Sequence, residues 1–377
     1  MTLFYYAALA AIGCYLAART YFILWRFGKG VRLGAAAFAL VSSLLYPLLM
    51  VEALGHPWES MHAVLSVVGF FFTAASFSAI LLFLTDAARV VVLVATLFRK
   101  RGRLPGAFYA ALFAIASALA LWGGINVKTL PPVRETAVTV PGLPAALSGL
   151  RIVHLSDIHV SPLFEKDRFE EIARRVNTLS ADFVVVTGDI ADGTPDSKRD
   201  YMGFLSKLRA KHGVILIPGN HDYYVNFAGW KKFYLSLGLP FLDNASASYQ
   251  VNGKTVSFVG LADRTGRQFG FPGPDIGKAL SSAPAKDDLR ILMVHRPKDS
   301  VKWADPRYGA GLILAGHTHG GQLFFLKPFV SLQNHGFVSG LYRAGTIPAY
   351  VSPGIGSWSG VPARIGAATE ITLLTLK

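Results

Sequence analysis

Four long apolar stretches in the first third of the chain constrain its fold more than any other feature of the sequence. They are Leu3–Trp25, Leu33–Leu54, Ala63–Leu84 and Gly106–Val127. Each reaches the ~20 residues that a helix needs to cross ~30 Å of hydrocarbon. The first stretch is too long for a removable signal peptide, and it lacks an early basic region and a small-residue cleavage site. We therefore predict a transmembrane anchor of about four helices over residues 1–127.

A fifth apolar run, Val90–Phe98, is too short to span a membrane by itself. We expect it to extend the third helix beyond Leu84, with Asp86 and Arg89 paired at i,i+3 on that helix. A fifth span is the alternative interpretation, and it would reverse the orientation of everything that follows.

The charges of the loops predict an orientation. Two loops are basic, with Arg26, Lys29 and Arg32 in the first and Arg99, Lys100, Arg101 and Arg103 in the third, whereas the loop Gly55–His62 has no Lys or Arg. Because basic loops stay in the cytoplasm, both the N-terminus and the chain after Val127 are expected outside it.

The charged residues within the apolar part (Arg19, Glu52, Asp86 and Arg89) all lie near predicted helix ends. An anchor is therefore favoured over a channel or transporter.

Overall charge raises the question of nucleic acid. The formal net charge is +14, but no stretch interleaves aromatic and basic residues as a nucleic-acid platform does. We expect no nucleic-acid partner, and we assign the charge to loop orientation and to a basic domain beside anionic lipid. The single cysteine, Cys14, excludes an intramolecular disulfide.

The sequence of the remainder of the chain predicts a soluble domain. Residues 128–149 hold four prolines and are expected to form a stiff linker with one extended strand. From residue 150 to 377, strand-like runs alternate with helical patterns at Glu165–Leu179 and Ser197–Lys211, which is typical of layered α/β architecture. The predicted strands are Arg151–Leu155, Phe183–Val186, Val214–Ile217, Ser257–Leu261, Ile291–Val294, Leu312–Leu314 and Tyr350–Ser352.

Polar clusters follow five of these strands directly. Since ligands collect beyond the carboxyl ends of strands in open α/β sheets, the clusters predict one site. The candidate metal ligands are Asp157, His159, Asp189, Asn220, His295, His317 and His319. Imidazole with carboxylate suits Mn, Fe, Zn or Co, and seven ligands exceed what one ion takes from a protein. Two divalent ions sharing a carboxylate would use them all, an arrangement suited to phosphoryl displacement.

The ordered series resembles the calcineurin-like metallophosphoesterase superfamily. Its motifs are Asp157-x-His159, Gly188-Asp189-x-x-Asp192, Gly219-Asn220-His221-Asp222, His295 and Gly316-His317-x-His319. Gly320-Gly321-Gln322 and Ser352-Pro353-Gly354-Ile355-Gly356 are similar to a branch that carries membrane helices, typified by transmembrane proteins with a metallophosphoesterase domain. The chain departs from the family pattern at Ala310-Gly311, where an acidic residue is usual.

This resemblance implies a four-layer β-sandwich flanked by helices. It also implies a role for each motif residue. Asp157, His159 and His319 would hold one metal, Asn220, His295 and His317 the second, and Asp189 both. His221 would protonate the leaving oxygen, and Asp192 would orient His221.

From these features we expect a membrane-anchored phosphoesterase with its catalytic domain outside the cytoplasm. Its partners would be the lipid bilayer and a phosphorylated small molecule or lipid, with a phosphomonoester, phosphodiester or pyrophosphate bond as the target. The alternatives are a pyrophosphate hydrolase acting on a UDP-diacylglucosamine-type substrate of lipid A synthesis, which needs a cytoplasmic site, and a non-catalytic membrane scaffold. Substrate-contacting residues stay unknown. Arg264, Arg296, Arg343 and Arg364 could bind phosphate, but solvation at the surface is the simpler expectation for each.

Overall fold

A computed structural model describes residues 2–55, 61–97, 102–358 and 360–377. The chain divides into two compact units. One consists of Met1–Ala53, Glu59–Asn126 and the short segment Gly360–Ala363. The other consists of Leu54–Trp58, Val127–Ser359 and Arg364–Lys377.

The first unit is helical. Its helices are α1 (Thr2–Ile23), α2 (Lys29–Gly55), α3 (Met61–Ala95) and α4 (Gly106–Lys128). Each is long and apolar enough to cross a membrane, as predicted for the four stretches. The run after Leu84 continues α3 as far as Ala95, and the described residues contain no fifth candidate span. Arg99, Lys100 and Arg101 of the third loop, and residues 56–60 of the second, lie outside the described residues.

The expected pairing of Asp86 with Arg89 is wrong. Asp86 instead binds α1, because Arg19 lies 2.7 Å from its carboxylate and the Tyr15 hydroxyl donates to it at 2.8 Å. Arg89 donates to the Tyr109 hydroxyl at 3.3 Å and to the carbonyl of Gly102 at 3.0 Å. Two interhelical bonds to one carboxylate satisfy it better among apolar helices than one bond along its own helix.

Two sheets form the second unit. Its strands are β1 (Val133–Val138), β2 (Arg151–Leu155), β3 (Phe183–Thr187), β4 (Gly213–Ile217), β5 (Ala245–Val251), β6 (Lys254–Gly260), β7 (Leu289–Met293), β8 (Leu312–Ala315), β9 (Gly340–Ala344), β10 (Ile347–Val351) and β11 (Ile371–Leu376). The first sheet has the order β1-β11-β2-β3-β4 and the second the order β5-β6-β7-β8-β10-β9. The strand expected within residues 128–149 is β1, which pairs in parallel with β11.

Short helices connect the strands. They are α5 (Lys166–Thr178), α6 (Pro195–Lys198), α7 (Asn220–Tyr224), α8 (Phe227–Ser236), α9 (Ile276–Ser281), α10 (Pro297–Trp303) and α11 (Lys327–Gln333). The helix predicted at Ser197–Lys211 is wrong, since only α6 and a 3-10 helix at Arg199–Lys207 occupy that region. Met202 and Leu205, three positions apart, are both buried on one face of this 3-10 helix.

The core lies between the two sheets. Ile152, Phe183 and Ile215 from the first sheet pack with residues such as Phe258 and Ile291 from the second. On the outer face of the second sheet, Ile276 of α9 and Trp303 of α10 cover the strands. The strand pairs β2-β3-β4 and β6-β7-β8-β10 are parallel, so the carboxyl ends within each set lie at the same edge. The carboxyl ends of the parallel strands are where a binding or catalytic site is expected.

Candidate metal centre

The five polar clusters meet at the carboxyl ends of the strands. One cluster each follows β2, β3, β4, β7 and β8, and all nine residues given metal or catalytic roles above lie in them. His221 is half-buried. Five of the other side chains are buried, namely those of Asp157, His159, Asp189, Asn220 and His295. The two parallel sets of strands thus bring residues that are up to 160 positions apart in sequence into contact.

A first group of ligand atoms comes from Asp157, His159 and His319. The Nε2 atoms of His159 and His319 lie 3.1 Å apart, and Asp157 Oδ1 lies 3.5 Å from His319 Nε2. One nitrogen or oxygen atom from each of the three residues lies within 4.8 Å of the others. This spacing and donor chemistry fit one divalent ion of the Mn, Fe, Zn or Co type.

A second group consists of Asp189, His295 and His317, with Asn220 beside it. His295 Nε2 lies 3.2 Å from Asp189 Oδ2 and 3.1 Å from Asn220 Oδ1. The same Oδ2 atom of Asp189 lies 3.7 Å from His159 Nε2 in the first group. Asp189 is therefore the carboxylate that two ions would share, and the residues present fit a dinuclear centre.

The ring nitrogens are oriented by hydrogen bonds outside the two groups. His159 Nδ1 donates to Asp192 at 3.1 Å, and His295 Nδ1 donates to the carbonyl of Thr187 at 2.8 Å. With Nδ1 held by these acceptors, Nε2 is the ring atom of each histidine that would bind an ion. Such outer contacts are how proteins fix the tautomer of a metal-binding histidine.

Backbone strain is concentrated at the ligands. Five of the seven candidate ligands have positive φ values, between 47° and 72°, in a region that non-glycine residues seldom adopt; they are Asp157, His159, Asp189, His317 and His319. Each costs of order 1 kcal/mol or more, and such strain clusters at functional sites. Nothing in the sequence signals it.

Glycines allow the loops to close around the carboxylates. A Cβ atom at Gly219 would collide with the Asp189 carboxylate, and one at Gly316 would collide with Ser156 and Asp157. The glycines of the third and last motifs are therefore packing requirements of the site as well as turn residues.

His221 and Asp192 form a pair next to His159 and Asp189, and a ring nitrogen of His221 lies within 4.8 Å of the ligand atoms of both. His221 Nδ1 donates to Asp192 Oδ1 at 2.7 Å, the same oxygen that binds His159. Burial lowers the pKa of His221, but the negative charges of Asp192 and Asp189 outweigh it and raise the pKa to about 9. Burial raises the pKa of Asp192, and the two histidines outweigh it, so its pKa lies far below the usual range. The Asp192 carboxylate thus favours the protonated form of the His221 imidazole.

Asp222 has a structural role that the motif alone did not reveal. Its Oδ2 atom accepts the backbone N–H groups of Asp189 at 3.1 Å and Gly219 at 2.7 Å, which ties the second cluster to the third. Burial, followed by the negative charge of Asp189, raises the pKa of Asp222 to about 7.

Two arginines also contact ligand histidines. Arg296 donates to His317 Nε2 at 2.9 Å while its own Nε binds Asp263 at 2.8 Å. Arg364 donates to His319 Nδ1 at 2.9 Å and is only 1% exposed, and the Arg296 side chain is only 15% exposed, so the expectation that these two are solvated at the surface is wrong. Sequence reasoning missed these contacts because the arginines lie outside, or just beyond, the ligand motifs.

The other candidates stand apart from the metal groups. His154 is buried within β2, and its Nε2 atom lies 2.8 Å from the Thr187 hydroxyl. Arg264 pairs with Asp299 at 2.8 Å, and Arg343 is exposed.

Comparisons with known proteins agree with this geometry. The family model described as calcineurin-like phosphoesterase matches residues 150–321. A transmembrane protein with metallophosphoesterase domain from Danio rerio is 35% identical over 70% of this chain and 61% of its own length. Uncharacterized metallophosphoesterases of Campylobacter jejuni and Bacillus subtilis are 30% and 32% identical, over 79% and 70% of this chain and 78% and 93% of theirs. The chain thus spans about three fifths of the length of the vertebrate relatives that it matches.

Proposed function

The chain belongs to the calcineurin-like phosphoesterase family, and on that premise we propose that it is a membrane-anchored hydrolase of phosphoric esters. The observation that carries this proposal is the position of Asp189, whose carboxylate lies between two groups of histidine and carboxylate ligands. The non-catalytic alternative loses support, because a scaffold has no need to keep both ligand groups and the His221–Asp192 pair.

The ligand sets follow from the two groups. Asp157, His159 and His319 would hold one ion, Asn220, His295 and His317 the other, and Asp189 both. When bound, such a pair of ions supplies a water nucleophile at neutral pH and neutralises charge on the phosphoryl group.

The proton for the leaving group comes from His221. Its Nδ1 atom is held by Asp192, so Nε2 is the atom left to carry a proton into the site. As a water oxygen adds to phosphorus and the bond to the leaving oxygen breaks, His221 Nε2 donates its proton to that oxygen. The Asp192 carboxylate stabilises the charged imidazole before the transfer and keeps the ring in place afterwards.

The membrane helices suggest the class of substrate. A domain tethered by four apolar helices works within a short distance of a bilayer, and we propose that its substrate is a lipid-linked phosphomonoester, phosphodiester or pyrophosphate. The bilayer is then a partner of the protein as well as its anchor, and no nucleic acid is required.

The side of the membrane is part of the same proposal. The basic first and third loops support a cytoplasmic position for those loops. An even number of spans then supports a catalytic domain outside the cytoplasm. This orientation disfavours a nucleotide-linked substrate, because such compounds are made and used in the cytoplasm.

Metal-dependent hydrolysis tests the activity. The full chain is purified in detergent, stripped with a chelator and assayed with an aryl phosphomonoester, an aryl phosphodiester and an aryl pyrophosphate. We expect at least one substrate to be hydrolysed after Mn²⁺ is restored and none in the presence of excess chelator. Hydrolysis that persists unchanged in the chelator would contradict the proposal.

A single-cysteine variant tests on which side of the membrane the catalytic unit lies. Ser206 is exposed in the catalytic unit, so Ser206→Cys in a Cys14→Ser background offers one accessible thiol. We expect a membrane-impermeant maleimide to label it in intact cells with a permeable outer envelope. Labelling that occurs only after lysis of the inner membrane would place the domain in the cytoplasm.

A further inference from the structure

An apolar segment projects from the catalytic unit directly after the last metal-ligand motif. This segment, Phe324–Leu332, contains a 3-10 turn at Phe324–Leu326 and most of α11. Phe324 is 55% exposed, Phe329 58% and Leu332 81%. Phe325 and Leu326 are exposed as well. Soluble surfaces seldom collect so many large apolar side chains in one short stretch, and those that do usually mark an interaction with protein or membrane.

The segment is held in this exposed position by its backbone. Leu323, just before it, is buried, and the N–H group of Phe324 donates to the carbonyl of Ile365 at 2.8 Å. At the other end, the N–H group of Gly336 donates to the carbonyl of Ser331 at 2.8 Å, and the Asn334 side chain donates to the carbonyl of Val330 at 2.9 Å. The exposure is therefore built into the fold at both ends of the segment.

Charge indicates the nature of the surface that would cover the segment. From Pro306 to Thr369 the sequence has no Asp or Glu. Of its four charged residues, Arg307 pairs with Asp305 and Arg364 is buried, which leaves Lys327 and Arg343. Lys327 lies within the segment itself. Aromatic and aliphatic side chains accompanied only by positive charge are the composition of elements that lie in the interface of an anionic membrane.

Covalent connections tether the unit that carries this segment to the apolar helices. Only residues 129–132 separate the end of α4 from the start of β1, a reach of at most about 17 Å. The segment Gly360–Ala363 also groups with the membrane helices. Just before it, the Trp358 N–H donates to the side chain of Gln322 at 3.2 Å, two residues ahead of Phe324.

We propose that the apolar segment Phe324–Leu332 inserts into the interfacial region of the lipid bilayer and holds the mouth of the metal centre against the membrane surface. Only four residues separate the ligand His319 from Phe324, so a segment at headgroup depth keeps the metal ligands close to the phosphates of the membrane. The consequence for substrate choice rests on the proposed function, whereas the insertion itself does not.

Depth-dependent fluorescence quenching tests the insertion. The full chain with Cys14→Ser and Leu332→Cys is labelled with an environment-sensitive dye and placed, one chain per nanodisc, in phosphatidylcholine containing phosphatidylglycerol. A matched control protein carries Gln250→Cys. Gln250 is exposed and pairs with Thr255 at the amino end of β6, whereas His295 follows the carboxyl end of the parallel strand β7. Position 250 therefore lies at the other end of the sheet from the metal ligands. We expect blue-shifted emission and several-fold stronger quenching by lipids with a nitroxide high on the acyl chain at position 332 than at position 250.

Equal and weak quenching at the two positions would overturn the proposal. A blue shift at position 332 without quenching would overturn it too, since this outcome means that protein covers the segment. Phe329→Cys in the same background repeats the measurement if Leu332→Cys does not fold. The readout needs no hydrolysis, so failure of the proposed activity leaves this result interpretable, and failure of insertion leaves the activity assay unaffected.

Discussion

Replacing Asp189 with alanine is expected to lower hydrolysis by more than about 1,000-fold, since even outer partners of metal ligands are worth about 10- to 100-fold. The Asp189 carboxylate faces His159 on one side and His295 on the other, so its loss weakens both ligand groups at once. The measurement is kcat/KM for the aryl substrate with Mn²⁺ in excess, together with the metal content of the isolated chain.

Two further variants make this result specific. Asp189→Asn keeps the size of the side chain while it removes the charge, and we expect a similarly large loss. Asp200→Ala removes an exposed carboxylate from the same unit and should leave the rate unchanged. Thermal unfolding of each variant separates loss of activity from loss of fold. Wild-type rates in a folded Asp189→Ala protein would contradict the assignment.

Replacing His221 with alanine is expected to lower kcat by about 100- to 10,000-fold for a substrate with an alkoxide leaving group. An alkoxide must be protonated as it departs, and His221 is the imidazole that Asp192 holds in place for that transfer. A nitrophenolate leaves without a proton, so its hydrolysis should fall much less. The metal content should stay as in the wild type, and a loss of metal would place His221 among the ligands, since its ring nitrogen lies within 4.8 Å of the ligand atoms of His159 and Asp189.

The pairing of His221 with Asp192 gives a second test of His221 as the proton donor to the leaving group. Asp192→Asn should lower kcat with the same dependence on the leaving group, and any further loss in the double variant beyond His221→Ala should come with loss of metal, because the same carboxylate also holds the ligand His159. Equal losses for alkoxide and nitrophenolate substrates would show that His221 does not supply the proton.

Much of the architecture could be predicted because it depends on patterns that are local in the sequence. The four membrane helices follow from runs of apolar residues, and β2, β3 and β8 follow from short buried runs that end in polar clusters. The convergence of these clusters was also predictable, because parallel strands present their carboxyl ends at one edge.

Other features depend on contacts that no local pattern encodes. Asp86 binds Arg19 rather than Arg89 because α1 lies beside α3, and β11 completes the first sheet from the far end of the chain. Arg364 is buried against His319, although an isolated arginine in a polar loop is usually solvated. The positive φ values of the ligands likewise arise from the closure of the whole site around the carboxylates.

The central claim is that two divalent ions, sharing Asp189, are needed for hydrolysis. Its most direct test is a titration of the metal-free full chain in detergent with Mn²⁺, in which the hydrolysis rate is followed against equivalents of metal per chain. We predict that the rate rises until two equivalents are bound and then stays constant. A rate that is complete at one equivalent, or that does not depend on added metal, would contradict the claim.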